Sequence, residues 1–501
     1  MAISERKPDW DRDVQEMDTA VDPFTFTDSP AEEAATTAEM SRLLEDLIGL
    51  PKLGNACWDF GSLVNGVRRV MKVNPHQHMT GSVGDIGLLR RVIKIYREDA
   101  VVGDRFLDYI SSRGMIAPSE RKAFFQRTDT YLVKWLESRL SIGRDPGGFP
   151  ECDQHLDMAR LAFQSQHPDS PELFRQAYRT VALENLADGV SEVWFRTTLG
   201  DQADRRYARA ALVGAKEAEC ESGGRLKVRF LAGTRKILGE TEQDGFSSST
   251  SALTLLQENS DDQTMVLGID SVGMDSNWRP EQQAFLRHEA ATRKLRVAVH
   301  FAESWAKGAL LETLERLEQL VTYGVIDNLD NANGLFAVQD EAAPVSHYST
   351  KDWKAVAGLQ HQVLQVMIQR RITLGINPMS NDLLTRSLRR GEGWRFRRFN
   401  EPLGAGLPPV LEMMSCEEES NERLRVVVGN DNSRFYPSRI DGAYLTVSEE
   451  LASLWAMPGQ SNGSVFGHLP TNAIARVILN GLEMAKSVDR ESLPVPARAR
   501  G

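Results

Sequence analysis

The chain has 501 residues, 41% hydrophobic and 26% charged, a composition that excludes disorder as the dominant state and suffices for one large core or several domains. With 59 lysines and arginines against 70 acidic residues the net charge is −11, so the molecule as a whole repels nucleic acid and anionic membranes, and any polyanionic ligand requires a local basic patch. Cys57, Cys152, Cys220 and Cys416 are scattered with no C-x-x-C spacing, which argues against a disulfide scaffold or thiolate zinc site and for a reducing, cytoplasmic compartment.

In chain order, residues 1–66 read as an acidic N-terminal extension, partly helical, with a helix expected from about Ser29 through Leu50. Met1–Pro30 has no basic segment leading into an apolar one, as a secretory signal would, and fits a solvated tail or a partner-bound arm equally. No later stretch approaches the ~18–20 unbroken apolar residues of a membrane span. From Arg68 onward, short β-branched runs alternate with stretches of helical period. The predicted strands are Arg68–Val73, Ser191–Arg196, Leu226–Gly233, Thr264–Asp270, Leu295–Phe301, Gly324–Leu329, Ile372–Asn377 and Leu424–Gly429. With intervening helices such as Ser304–Val321, eight such units predict an α/β fold, a (β/α)8 TIM-type barrel over residues 67–487. An enlarged helical insertion at about 84–187 follows the first strand, broken by a turn at Gly143–Glu151, and residues 488–501 form a C-terminal tail.

The residues suited to chemistry stand at predicted strand ends. In VNPHQHMTGS, His76 and His78 are two apart, and on an extended chain that spacing points both imidazoles to one side, toward one metal ion. His300 ends the fifth strand, with Glu303 just after it, and Asp431 follows the eighth strand. A barrel brings these ends to its C-terminal face, where nitrogen and oxygen ligands from separate strands describe an open, catalytic zinc site. Taken singly, each has a plainer reading: surface histidines in a loop, a core histidine, a helix cap.

As an ordered set the motifs resemble the adenosine deaminase-like family of the metal-dependent amidohydrolase superfamily, from Arg68 through most of the remaining chain. The carriers are His76, His78, Gly81 and Ser82 for its HxH…GS, His300 to Glu303 for its HAGE, and Asn377 to Asn381 for its proline-serine-asparagine signature. Asn430 to Ser433 is similar to its TDDP, Ile269 to Gly273 to its fourth-strand motif, and Thr471 to Leu479 to its closing helix. The resemblance implies one Zn2+ per chain on His76, His78, His300 and Asp431, with Glu303 donating a proton to the purine ring. It implies hydrolytic deamination of adenosine or an adenine nucleotide to the inosine form with release of ammonia, and it extends to divergent members that act with partner proteins in bacterial anti-phage defence. The expected partners are a small-molecule purine and further copies of the chain, with a protein partner and, less favoured, a nucleic acid kept open.

Three departures bear on that reading. Where the family has R-I-G-H-G after its sixth strand, this chain has Asp327 to Ala332, so either Asn331 or Asp330 takes the place of the catalytic imidazole or the step is impaired. Asn432 replaces an aspartate that faces purine N7, while Gly273 matches the glycine whose N–H meets the ring. Thr80 stands where an acid commonly meets the ribose 5′-hydroxyl; a threonine there tolerates a 5′-phosphate, and the run Thr385–Phe399 offers Arg395 and Arg397 to bind it. The alternative for that run is an arginine-rich surface that pairs with the acidic N-terminal arm of a neighbouring subunit. Two alternatives to the leading reading stay open: a zinc hydrolase of another C–N bond, and a catalytically weak nucleotide-binding or scaffold protein.

Overall fold

In the computed structural model the described residues are 30–48, 60–79, 82, 85–140, 161, 163, 165–199, 205–235, 252–260, 262–273, 275, 278, 280–343, 346–415, 423–431, 445–455 and 469–492. Ten strands run in chain order: β1 (Lys72–Gln77), β2 (Val190–Thr197), β3 (Lys227–Arg235), β4 (Val266–Val272), β5 (Arg296–His300), β6 (Asn328–Asp330), β7 (Ala337–Gln339), β8 (Thr373–Ile376), β9 (Trp394–Phe396) and β10 (Arg425–Val428). Eight of them form a parallel sheet in the order β1-β2-β3-β4-β5-β6-β8-β10, and β7 and β9 form a separate antiparallel pair. The sheet curls until its two ends meet: Gln77 bridges Asp431, with Asp431 N donating to His76 O (3.0 Å) and His78 N to Asp431 O (2.9 Å). The expected eight-stranded α/β barrel is therefore the observed one.

Six of the predicted strands cover most of their observed counterparts, and the sixth overlaps its own by two residues, Asn328 and Leu329. The first is displaced: Phe60–Arg68 is helix and the strand begins at Lys72, so the extended segment is KVNPHQ rather than RRVMKV. Apolar patterning misplaced it because this wholly buried strand carries polar side chains with partners elsewhere in the fold: Lys72 donates to the carbonyls of Val67 and Val70, and Asn74 to Asn185 and Asn430. The sixth strand is shorter than expected, only Asn328–Asp330.

The insertion between β1 and β2 is helical as expected, with helices Ile86–Glu98, Ala100–Ser112, Asp129–Leu140 and Ser170–Ala187; the turn at Gly143–Glu151 lies outside the described residues. Asp99 separates the first two of these helices because its carboxylate accepts from the N–H groups of Val101 and Val102, capping the second. The expected N-terminal helix is described over Pro30–Ile48, with Met40 and Leu44 buried, and the rest of its expected span lies outside the described residues. No helix among the described residues is long and apolar enough to cross a membrane.

The lumen is divided into two zones. Its lower part is an apolar plug of Trp194, Leu231, Leu267, Ala298 and Val427, closed by Met484 and Val488 of the helix Thr471–Ser492. Two residues further along the same strands, toward their C-terminal ends, the inward positions become polar: Arg196 follows Trp194 and Asp270 follows Gly268. Three non-glycine residues with positive φ stand at these ends, Ala302 (57°), Asn331 (57°) and Asp431 (50°), the conformation that turns each chain over the barrel mouth.

Candidate metal centre

His76 is the fifth residue of β1, His78 follows the strand, and His300 ends β5. Their imidazoles converge through one nitrogen each: His76 Nε2 lies 3.1 Å from His78 Nε2 and 3.0 Å from His300 Nε2. Asp431, held at the barrel seam by the backbone bonds just described, brings Oδ1 to 3.7 Å from His76 Nε2 and 3.6 Å from His78 Nε2. Donors bound at ~2.0–2.2 Å to a single ion lie no more than about 4.4 Å from one another, and all these separations fall within that limit. The group His76, His78 and His300 fits a metal ion, and a carboxylate oxygen completes a borderline-soft N3O donor set.

The surroundings prepare these donors. Burial, reinforced by the charges of His300 and Arg196, holds His76 well below the usual imidazole range and His78 down to about 3, so both present neutral lone pairs. His300 differs. Burial opposes its protonation, but the Asp270 carboxylate, 3.1 Å from Nδ1, outweighs it and raises the group to about 9. Asp270 thereby fixes a proton on Nδ1 and turns Nε2 toward the other two histidines, the orienting role a carboxylate plays behind a metal-bound histidine.

Glu303, 5% exposed, stands beyond His300 with its Oε1 accepting from Asn331 Nδ2 (3.0 Å) and its carbonyl accepting from Asn333 Nδ2 (3.0 Å). Asn331 Oδ1 in turn accepts from Asn377 Nδ2 (2.7 Å), which lies 3.4 Å from His76 Nδ1. A chain of amides thus links Glu303 back to the histidine cluster. Asp330, one residue earlier, accepts from Arg196 Nη2 through Oδ2 (2.8 Å) and brings Oδ1 to 4.0 Å from His76 Nδ1. Of the two candidates for the missing imidazole, Asn331 is the one beside Glu303.

Gly273 follows the end of β4 with φ 112°, a backbone that favours glycine. Thr80 and Asn432 lie outside the described residues. The arginine-rich run is accounted for differently than expected. Arg395 pairs with Glu401 (2.8 Å), Arg397 is 5% exposed and donates to Pro402 O and Gln360 Oε1, and Arg386 and Arg389 both pair with Asp382. The interleaved Trp394, Phe396 and Phe399 are core residues. These guanidiniums meet carboxylates and carbonyls of their own chain, and the Arg395 side chain stays 41% exposed.

Sequence reasoning passed over Asp270, Asn377 and Arg196 as site residues. Each was nonetheless marked by position: a charged or amide side chain at the C-terminal end of an otherwise apolar strand of a barrel.

No family model and no curated protein matches the sequence. Solved structures do resemble the fold. An amidohydrolase from Burkholderia ambifaria with bound Zn superimposes with a TM-score of 0.52 at 14% identity, covering 88% of this chain and 93% of that one. The N6-methyl-AMP deaminase of Arabidopsis thaliana gives 0.48 at 12% identity, covering 85% and 98%, and the adenine deaminase of Arthrobacter aurescens 0.43 at 14%, covering 83% and 99%. The first of these establishes the shared barrel fold.

Proposed function

We propose that this chain is a zinc-dependent hydrolase that deaminates an adenine-type purine, as nucleoside or nucleotide, to the corresponding 6-oxo compound and ammonia. The observation that carries the reading is the pairing of two features on one barrel face. Four convergent donors, His76, His78, His300 and Asp431, lie beside a nearly buried carboxyl, Glu303, whose Oε1 accepts from Asn331 Nδ2. A zinc ion held by those four would supply a Lewis acid that makes water nucleophilic near neutral pH.

The chain's own residues supply the rest. As water oxygen adds to the carbon bearing the amino group, a ring nitrogen gains electron density and takes a proton from Glu303. The C–N bond then breaks: the nitrogen takes one of the water's protons and leaves as ammonia, the carbon keeps the oxygen, and the second water proton restores the Glu303 carboxyl. Asn331 fixes the rotamer of Glu303, and Asn377 fixes Asn331. The Gly273 N–H, at the end of β4, is the group we assign to the purine ring, with Thr80 and Asn432 as further substrate contacts. Asp431 joins metal binding to acceptance of a water proton. The shared fold with a zinc-containing amidohydrolase supports this reading, as does the ordered motif set.

Asn331 favours one alternative. An amide beside Glu303 cannot accept a proton at neutral pH as an imidazole does, which suits hydrolysis of a different C–N bond. The experiment is ammonia release with parallel mass spectrometry across adenine, adenosine, deoxyadenosine, AMP, ATP and adenine-containing oligonucleotides, on protein whose metal is quantified. A gain of about one dalton, lost in Glu303→Gln, supports deamination. Silence on every substrate with stoichiometric zinc refutes it in favour of the alternative.

A further inference from the structure

Behind the histidine cluster lies a second group of donors. Asp270, His300 and Asp330 each offer an atom within 4.8 Å of the others, and all three residues are buried. The group shares His300 with the first cluster but uses its other side, where Nδ1 faces Asp270 Oδ1 at 3.1 Å. Two carboxylates at the centre of a barrel require a compensating cation, because an isolated buried charge is strongly unfavourable.

That cation is covalent. The Arg196 side chain, fully buried, reaches from β2 between the two acids: Nη2 donates to Asp330 Oδ2 (2.8 Å) and Nη1 lies 4.0 Å from Asp270 Oδ2. The same Nη2 donates to the carbonyl of Pro75 (2.8 Å), immediately before His76, and the Arg196 carbonyl bonds the His78 ring. The fit is incomplete: Asp270 Oδ2, Asp330 Oδ1 and Arg196 Nε and Nη1 are buried without a hydrogen-bond partner. A guanidinium chosen for pairing alone would engage its acids in a bidentate fork. Here it supplies charge between two carboxylates that each keep one oxygen without a hydrogen bond, Asp270 Oδ2 at 4.0 Å from Arg196 Nη1 and Asp330 Oδ1 at 4.0 Å from His76 Nδ1.

We infer that Arg196 is a resident cation standing where a second metal ion would otherwise bind, so that the barrel holds one ion, on His76, His78, His300 and Asp431, and not two. Removing the guanidinium opens Asp270, Asp330 and, once its proton has left, His300 Nδ1 to a divalent cation. The inference rests on the metal-centre reading, and the two fail in different ways.

The test is metal content by inductively coupled plasma mass spectrometry after equilibration with excess zinc and removal of loosely held ions. It compares the wild type with Arg196→Met, which keeps the length of the side chain without its charge, and with Arg196→Lys, which keeps the charge. Expected values are one zinc per chain for the wild type and the lysine variant and two for the methionine variant. Two ions in the wild type, or one in folded Arg196→Met, overturn the role of Arg196 alone; none in the wild type overturns the metal centre as well. If Arg196→Met folds only when zinc is supplied, its metal content decides: two ions per chain support the inference and one overturns it. If it fails to fold even in excess zinc, the inference falls.

Discussion

Asn331 is the residue whose geometry makes the sharpest claim, since its Nδ2 donates to Glu303 Oε1 at 3.0 Å inside a buried pocket. Asn331→Asp is nearly isosteric, and an aspartate tolerates the φ of 57° found there, so the backbone has no reason to move. One oxygen of the introduced carboxylate can still accept from Asn377 Nδ2, now at 2.7 Å from Asn331 Oδ1. The other meets Glu303, and the contact changes sign. Two unit negative charges at that spacing repel by about 5 kcal/mol at an effective dielectric of about 20. Keeping one carboxyl protonated instead costs about 5 kcal/mol at about pH 8 but only about 1 kcal/mol at about pH 5. The pair binds protons more tightly folded than unfolded, so stability present at low pH is lost as pH rises. Spread over an unfolding entropy of ~2.1 cal/mol/K per residue, the deficit is a Tm loss of about 5 °C at about pH 8 and about 1 °C at about pH 5. Differential scanning calorimetry of chelated protein, in which no bound cation offsets the repulsion, measures it directly. Adding Glu303→Gln should restore the wild-type Tm at the higher pH. Equal losses at both pH values would refute the contact and the amide chain built on it.

Glu303→Gln is expected to retain zinc and substrate binding while turnover falls by about 10²–10⁴-fold, the range for loss of a positioned general acid; full activity rules out the assignment. Gly429→Ala would place its Cβ 2.7 Å from His76 Cβ and 2.9 Å from His76 O, displacing β1 at the metal ligands, so metal content by atomic absorption should drop well below one per chain. Glu450 gives a pH signature of its own. Burial pushes its carboxyl up to about 8, against the pull of the Met379 and Ser380 N–H groups that it accepts from. A raised acid favours the folded state fully below its unfolded value, and that contribution is lost as pH rises through about 8. Glu450→Gln should therefore flatten the decline in stability between about pH 5 and about pH 8, read by urea titration, and a decline of unchanged slope would contradict it. Chelation should lower Tm by about 4 °C, from the ~4 kcal/mol that a ligand at a thousandfold excess over its Kd contributes, and zinc should restore it.

Composition, the period of the apolar runs and the eight strand-like segments were enough for a parallel α/β barrel, because a strand buried on both faces announces itself by β-branched residues whatever its neighbours are. They also marked His76, His78, His300, Glu303 and Asp431, since chemistry in such a barrel sits where strands run out and those polar residues interrupt an apolar pattern. The first strand defeated the same logic: KVNPHQ is extended and wholly buried yet polar, because its partners, such as Asn185 and Asn430 for Asn74, come from distant parts of the chain. Local sequence was equally silent on the arginine-rich run, where only packing shows Asp382 and Glu401 taking up the charge. Above all, which polar residues act on one another was decided by closure of the sheet. Arg196 reaches Asp330 across 134 residues, and Asn377 meets the His76 ring across 301. A chain's own period dictates which way each side chain points, but who stands opposite depends on strand order and register around the barrel, and those are settled only when its two edges meet at Gln77 and Asp431.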